Sequence, residues 1–178
     1  MSLKLESLND NVRVFMAQEV EFDVTNDQLY KSKYFNNRGE SAYLDLIREA
    51  ARAYDDGWLA DRLRAGGCMN SKAMRRKPKG GYTEVSVPVT APDTFAEGEF
   101  NRFYARGLCL YAIEMGIPSL LVYRAKAVMV PRADSEAMIG RLIEANALLQ
   151  DLRTHQGVDT ALGLPNGPNS GLSVRLPE

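Results

Sequence analysis

The chain is poor in the residues that build disulfide and zinc sites: its 178 residues include two cysteines and one histidine. Small disulfide-stapled proteins contain many more cysteines, so a disulfide framework is excluded as the basis of the fold. Cys68, Cys109 and His155 are scattered along the chain, and they are three candidate ligands where a structural zinc ion takes four. A zinc site made of cysteine and histidine is therefore excluded as well.

The same scarcity limits nucleophilic catalysis. Any Ser-His-Asp or Cys-His arrangement would have to use His155, which lies near the end of the last predicted helix, where a cation suits the negative helix terminus. Cys109 lies in an apolar run and is predicted to be buried. Cys68 follows two glycines in a predicted loop, where it is either a reactive thiol or a spectator. We therefore predict no catalytic residue.

Long apolar runs and cofactor motifs are also missing. No window contains the ~18 to 20 apolar residues that span a bilayer, and residues 1–6 lack the apolar core of a signal peptide. We expect no membrane partner and a cytoplasmic location. The glycine motifs that cradle phosphates in P-loop and dinucleotide-binding proteins do not occur, so no cofactor is predicted.

What the chain does contain is an ordinary globular composition, with 45% hydrophobic and 25% charged residues. Alternating apolar residues predict strands at 12–24, 82–90 and 120–130, and a short final strand at 172–176. Apolar residues at helical spacing predict helices at 41–65, from 93 or 94 to about 115, and from 134 or 135 to near 155. We expect one α+β domain over residues 1–178, with a small mixed or antiparallel sheet covered by about three helices and an irregular Gly/Pro/Asn-rich segment at 156–178.

Positive charge is concentrated in the middle of the chain. The formal net charge is -1, yet residues 31–79 hold twelve basic and six acidic residues. Five cations lie close together: Lys72, Arg75, Arg76, Lys77 and Lys79. Glycine pairs at 66–67 and 80–81 flank this run, which has too few apolar residues to fold alone. The pattern predicts a mobile basic arm at 67–81, between a long helix and an edge strand.

Three interpretations fit the basic arm. Nucleic acid would bind it through phosphate neutralisation and counterion release. An acidic surface on a neighbouring subunit would pair with its arginines and lysines. A solvated loop would need the charges only for solubility. Tyr82, at the end of the arm, is the one aromatic side chain there, which argues against single-strand binding by base stacking.

A second basic feature lies on the helix predicted to end near 115. Arg102 and Arg106 are four residues apart, a spacing at which like charges on a helix repel. An anionic group is therefore expected beside them, and it is either Glu99, a carboxylate at an interface, or a phosphate. Together with the basic arm, we include Arg102 and Arg106 among the candidate residues for binding a partner or nucleic acid.

Carboxylates offer the only candidate metal site. Glu19, Glu21 and Asp23 alternate along the predicted strand at 12–24 and would share one of its faces. Oxygen ligands of this kind suit magnesium or calcium, although a strand face exposed to solvent shows the same alternation. Asp93, Glu97 and Glu99 form a second acidic group near a helix start. A nuclease-like site would add a lysine beside a carboxylate on a strand, whereas Lys126 follows Arg124.

These observations favour a non-enzymatic, self-associating structural or interaction protein. Candidate edge strands and aromatic side chains outside the helical stripes, such as Tyr30, Tyr34 and Phe35, predict a homo-oligomer. By analogy alone, a subunit of a larger phage-type assembly fits this combination of a long helix and a basic arm. The alternative is a metal-dependent enzyme that processes nucleic acid with the carboxylates, and a third possibility is a module that binds a small molecule.

Overall fold

The computed structural model describes residues 2–157 and 170–177. That part of the chain contains six helices: α1 Asp10–Thr25, α2 Asn37–Ala53, α3 Asp56–Ala65, α4 Ala91–Glu114, α5 Ala133–Glu136 and α6 Ala145–Thr154. It also contains five strands: β1 Lys72–Arg76, β2 Tyr82–Ser86, β3 Ser119–Arg124, β4 Leu142–Glu144 and β5 Leu172–Arg175. None of the described helices is long and apolar enough to cross a membrane.

The strands form two small antiparallel sheets, and the predicted α+β class is confirmed. One sheet is a hairpin of β1 and β2, and the other has three strands in the order β4-β3-β5. The predicted strand at 120–130 corresponds to β3 and ends at Arg124. The predicted final strand is confirmed as β5, which pairs with β3 through Val174 opposite Val122.

α4 is the central helix, and α1, α3 and α6 pack against it. Residues 99–109 of α4 are all buried, because neighbouring elements cover the helix on every side. α1 crosses α4 at Gly107, where a Cβ atom would come within 2.7 Å of the Met16 backbone nitrogen. The two backbones are therefore in contact at this point, and long polar side chains near the crossing are enclosed between the helices.

Residues 12–24 form most of α1, so the prediction of a strand there is wrong. Asn9 begins the helix, because its side-chain oxygen accepts a hydrogen bond from the backbone N–H of Val12. The buried positions recur at helical spacing: Val12, Met16, Glu19, Val20 and Asp23. Two of these buried residues are acidic, and their position on the inner face concealed the helical period in the sequence.

Two predicted helices are divided in the structure. The one predicted at 41–65 is α2 followed by α3, because Asp55 caps α3 by accepting a hydrogen bond from the backbone N–H of Trp58. The last predicted helix is interrupted by β4, after which the Glu144 side chain caps α6. Most of the segment predicted to be irregular, 156–178, lies outside the described residues.

Candidate functional site

The predicted basic arm is part of a β-hairpin, which we call the basic hairpin (residues 71–87). Its two strands pair through five residues each, from Lys72 opposite Ser86 to Arg76 opposite Tyr82. Gly80 and Gly81 close the turn with φ values of +90° and +77°, which favour glycine. The arm is thus ordered by pairing with the strand that follows it, rather than swinging freely between glycines as the sequence suggested.

The two faces of the basic hairpin differ in exposure. Alternate residues of a strand point to opposite faces, and residues paired across the strands share a face. The more covered face carries Ala73, Arg75, Thr83 and Val85. The exposed face carries Lys72, Met74, Arg76, Tyr82, Glu84 and Ser86. On that face Tyr82 is 65% exposed and Met74 is 64% exposed, so two large apolar side chains lie in solvent beside Arg76.

Most cations of the basic hairpin have no side-chain partner among the residues that the structure describes. Lys72 donates to Glu84 at 2.5 Å across the two strands, and both side chains are more than half exposed. The remaining four, which we call the tip cations, are all exposed: Arg75, Arg76, Lys77 and Lys79. No ion pair or side-chain hydrogen bond joins a tip cation to another residue within 2–157 and 170–177. Their charge is therefore available to an external anion.

A groove extends this positive surface toward the body of the protein. It has a volume of about 430 Å³ at the base of the basic hairpin, and its lining includes Lys33, Lys72, Met74 and Glu84, the partner of Lys72. The Lys33 ammonium lies 5.2 Å from the centre of the Tyr34 ring, which orients it by a cation–π contact. Lys33 thus continues the row of cations that begins at the tip of the hairpin.

Arg102 and Arg106 do not belong to this surface, and their prediction as partner-binding residues is wrong. Arg102 is 1% exposed and Arg106 is 0% exposed, because α1 and α6 cover this part of α4. Arg106 donates to Glu19 at 2.6 Å and to Asp23 at 2.7 Å and 2.9 Å. Of the anions expected beside these arginines, carboxylates of the same chain are the ones present.

These residues belong to a buried charge cluster that joins three helices, with three acids and three arginines: Glu19, Asp23, Glu99, Arg102, Arg106 and Arg153. Arg102 donates to Glu99 at 2.5 Å, and its guanidinium lies 4.9 Å from the centre of the Phe103 ring. Burial raises the pKa of Glu99, although Arg102 opposes that shift. Because its charges balance, the cluster is suited to hold α1, α4 and α6 together.

The candidate metal ligands of α1 are separated by the helix. Glu19 and Asp23 point inward to arginines, whereas Glu21 lies on another face and accepts two hydrogen bonds of 2.7 Å from Arg48. The expectation that the three carboxylates share a face is therefore wrong, because the segment is helical. No group of three or more possible metal ligands occurs among the described residues.

The second acidic group is also occupied by cations. Asp93 accepts hydrogen bonds from Arg64 at 2.7 Å and 2.8 Å, and Glu97 pairs with Lys126 beside the end of β3. With Glu99 bound to Arg102, each carboxylate proposed for a nuclease-like site has a basic partner in the same chain. The geometry gives these acids structural contacts and leaves no cluster of free oxygen ligands among them.

The remaining reactive side chains lie outside any catalytic arrangement in the described structure. His155 is exposed, and its Nδ1 lies 2.8 Å from Asp151 one helical turn earlier. Cys68 and Cys109 are both buried, and desolvation raises the pKa of each thiol. A thiol with a raised pKa is a poor nucleophile at neutral pH, so Cys68 fits the interpretation of a spectator.

The candidate site is thus the exposed face of the basic hairpin with its groove. Met74 and Lys33 are not among the residues that the sequence pattern selects. Met74 was missed because residues 72–76 were not predicted to form a strand. Lys33 is far from the hairpin in sequence and reaches the groove only through the fold. Residues 72–76 read Lys-Ala-Met-Arg-Arg, which has no alternation of apolar and polar residues, so no sequence signal places Met74 on the exposed face. No protein-family model, curated protein or solved structure matches this chain.

Proposed function

We propose that this chain is a non-enzymatic interaction protein that self-associates and binds the phosphate backbone of nucleic acid through the basic hairpin. The observation that supports it best is the set of four exposed tip cations without a partner in the described residues. Five cations and the single acid Glu84 give the hairpin a net charge of +4, which leaves −5 for the rest of a chain whose total is −1. A projecting cationic element on an acidic body suits an external polyanion.

The mixed surface charges of α2 favour nucleic acid over this helix of a second copy as the partner of the hairpin. Exposed acids of α2, such as Asp45 and Glu49, are interspersed with Arg48 and Arg52. Arg48 itself pairs with Glu21 and Asp45. A mixed surface of this kind offers no continuous acidic patch to a hairpin that carries four free cations. Nucleic acid presents its negative charges in a regular row.

Self-association is proposed to use a different part of the molecule. β4 is one of the two outer strands of the three-stranded sheet, and an outer strand offers unpaired backbone groups to another chain. Leu142 on β4 is 61% exposed, and Met129 and Val130 in the loop between β3 and α5 are almost fully exposed. Light scattering should then give a mass that rises with concentration above the 19.8 kDa of one chain. A constant mass of one chain across a wide concentration range would contradict self-association.

The test of nucleic-acid binding is fluorescence anisotropy of labelled DNA and RNA oligonucleotides between 50 and 200 mM salt. The triple variant Arg75→Gln, Arg76→Gln, Lys77→Gln removes three tip cations. We expect it to weaken binding strongly and to reduce the slope of log K against log salt by about 2 to 3, since each phosphate contact contributes ~0.7 to 0.9.

A matched control removes the same charge elsewhere. Lys31→Gln, Arg52→Gln, Arg141→Gln changes three exposed cations far from the tip of the hairpin in sequence, and it leaves the same net charge as the hairpin variant. Binding should stay close to that of the original protein. Equal loss in both variants, or no salt-sensitive binding at all, would contradict the proposal. If the hairpin variant lost self-association while nucleic-acid binding stayed unchanged, the hairpin would belong to a subunit contact instead.

A further inference from the structure

We infer that the nucleic acid held by the basic hairpin is single-stranded and that one unpaired base stacks on Tyr82; this inference rests on the proposed function. In the sequence, Tyr82 was an isolated aromatic residue at the end of a basic run. In the structure it lies directly opposite Arg76 on the exposed face, and 65% of its surface is in solvent. The ring therefore stands next to a free cation, which is the combination that single-strand binding uses.

The neighbours of Tyr82 support a stacking platform. Met74 lies diagonally across the hairpin from Tyr82, on the same face, and is 64% exposed. Diagonal neighbours on one face of an antiparallel pair lie within reach of aromatic and long side chains. A flexible thioether beside an aromatic ring adds a second apolar surface for the flat face of a base. Phosphate groups bind cations and hydrogen-bond donors, so binding of phosphate alone does not require the exposed apolar surfaces of Tyr82 and Met74.

The positions of the cations fit a strand that passes along the hairpin. Arg76 lies at the tip end of the exposed face and Lys77 follows it at the start of the turn, whereas the groove beside Lys72 and Lys33 lies at the base of the hairpin. β1 has five residues, so this path is about 17 Å long at ~3.3 Å per residue. Phosphates can contact cations at both ends, while a base near the tip end contacts the Tyr82 ring opposite Arg76.

A double helix makes poorer use of this surface. In a duplex the flat faces of the bases are stacked on each other, and only base edges and phosphates are accessible. A two-stranded ribbon does fit the major groove, where its side chains contact base edges. In that geometry Tyr82 and Met74 would face polar edges and phosphates rather than base faces. An unpaired base offers Tyr82 the surface that matches its ring.

The inference is tested by comparing a fluorescein-labelled single-stranded 15-mer of thymidine with a duplex of equal length at the same salt. We expect tighter binding of the single strand. Tyr82→Ala should weaken it by about 5- to 150-fold, the range that corresponds to base–aromatic stacking. Tyr82→Phe should retain affinity within about twofold. The salt slope should be unchanged in both variants, because neither removes a charge.

A control variant separates stacking from general loss of an exposed aromatic residue. Tyr54→Ala removes a tyrosine that is 41% exposed on the distant α2–α3 connection and should leave binding unchanged. A spectroscopic test keeps an aromatic ring at position 82. Tyr82→Trp in a Trp58→Phe background leaves one indole in the protein, at the proposed stacking position. Its fluorescence should be quenched when the thymidine 15-mer binds.

The outcomes distinguish this inference from the proposed function. Preference for the duplex would assign the hairpin to a groove and overturn the inference. Full binding by Tyr82→Ala, or unquenched indole fluorescence in the bound complex, would also overturn it, while sensitivity to Arg75, Arg76 and Lys77 would leave the proposed function standing. If neither probe binds, the proposed function itself fails.

Discussion

At the scale of single residues, we expect substitution of Arg106 to reduce the stability of the protein strongly. It is fully buried and donates to both Glu19 and Asp23. Arg106→Leu should destabilise the protein by about 3 to 5 kcal/mol, because removing one partner leaves buried carboxylates uncompensated. Urea unfolding monitored by circular dichroism measures this change. Arg52→Leu, at an exposed position, should change stability by no more than about 0.5 kcal/mol; similar losses in both variants would contradict the importance of the cluster.

Asp56 gives stability a pH dependence that can be isolated. Burial raises its pKa from 3.8 to about 6, even though its carboxylate accepts a hydrogen bond from the backbone N–H of Leu3. Because the folded pKa lies above the unfolded one, this group favours folding at low pH, and that contribution is lost as pH rises from about 4 to about 6. Asp56→Asn removes the ionisation and keeps an oxygen acceptor for Leu3.

The expected result is a difference in melting temperature between Asp56→Asn and the original protein that changes with pH. Above pH 6 the variant should melt a few degrees higher, because it carries no buried charge, and the difference should shrink toward pH 4. Differential scanning calorimetry in steps of pH measures it, and other carboxylates cancel in the comparison. A constant difference across this range would show that the Asp56 carboxyl titrates normally.

At the scale of secondary-structure elements, the turn of the basic hairpin depends on its two glycines. Gly80 and Gly81 both have positive φ values, and a residue with a Cβ atom pays ~1 to 2 kcal/mol in that region. Gly80→Ala combined with Gly81→Ala should therefore open the hairpin locally. Hydrogen exchange should become faster at 72–76 and 82–86, while the amides of α4 keep their protection. Unchanged exchange in the hairpin would show that strand pairing outweighs the strain in the turn.

Some secondary-structure elements could be predicted from the spacing of apolar residues, and others could not. α4 and β5 follow from ordinary apolar spacing, and both are where the sequence places them. α1 was predicted as a strand because Glu19 and Asp23, on its inner face, look like solvent-facing residues until their arginine partners are known. Those partners come from α4 and α6, 79 or more residues away. Such distant pairing leaves no local pattern.

For the candidate site, the sequence shows the charges of the hairpin but not their arrangement. A run of cations is visible in any sequence, so the charges of Lys72 to Lys79 could be identified directly. Their pairing with 82–86 could not, because Met74, Arg75 and Arg76 have no alternation of apolar residues to indicate a strand. Without that pairing, the sequence could not show that Tyr82 lies opposite Arg76.

At the scale of the whole molecule, the basic hairpin is separable from the core. The backbone N–H of Val87 donates to the carbonyl of Ser71 at 3.0 Å, so the chain leaves and re-enters the body at neighbouring points. β1 and β2 contact mainly each other. Removing residues 72–86 and joining the ends through two glycines should shift the melting temperature by only a few degrees and abolish nucleic-acid binding. An unfolded product would show that the core depends on the hairpin.

The close contact at Gly107 restricts the register of α1 along α4. A slip of α1 by one turn along α4 would move it by about 5.4 Å and bring Met16 against a bulkier neighbour than glycine. The same slip would pull Glu19 and Asp23 of α1 away from their arginine partners and leave these charges uncompensated in an apolar interior, although Glu99 and Arg102 would still pair within α4. Packing and charge pairing therefore both disfavour this shifted register, and they select the same position of α1 along α4.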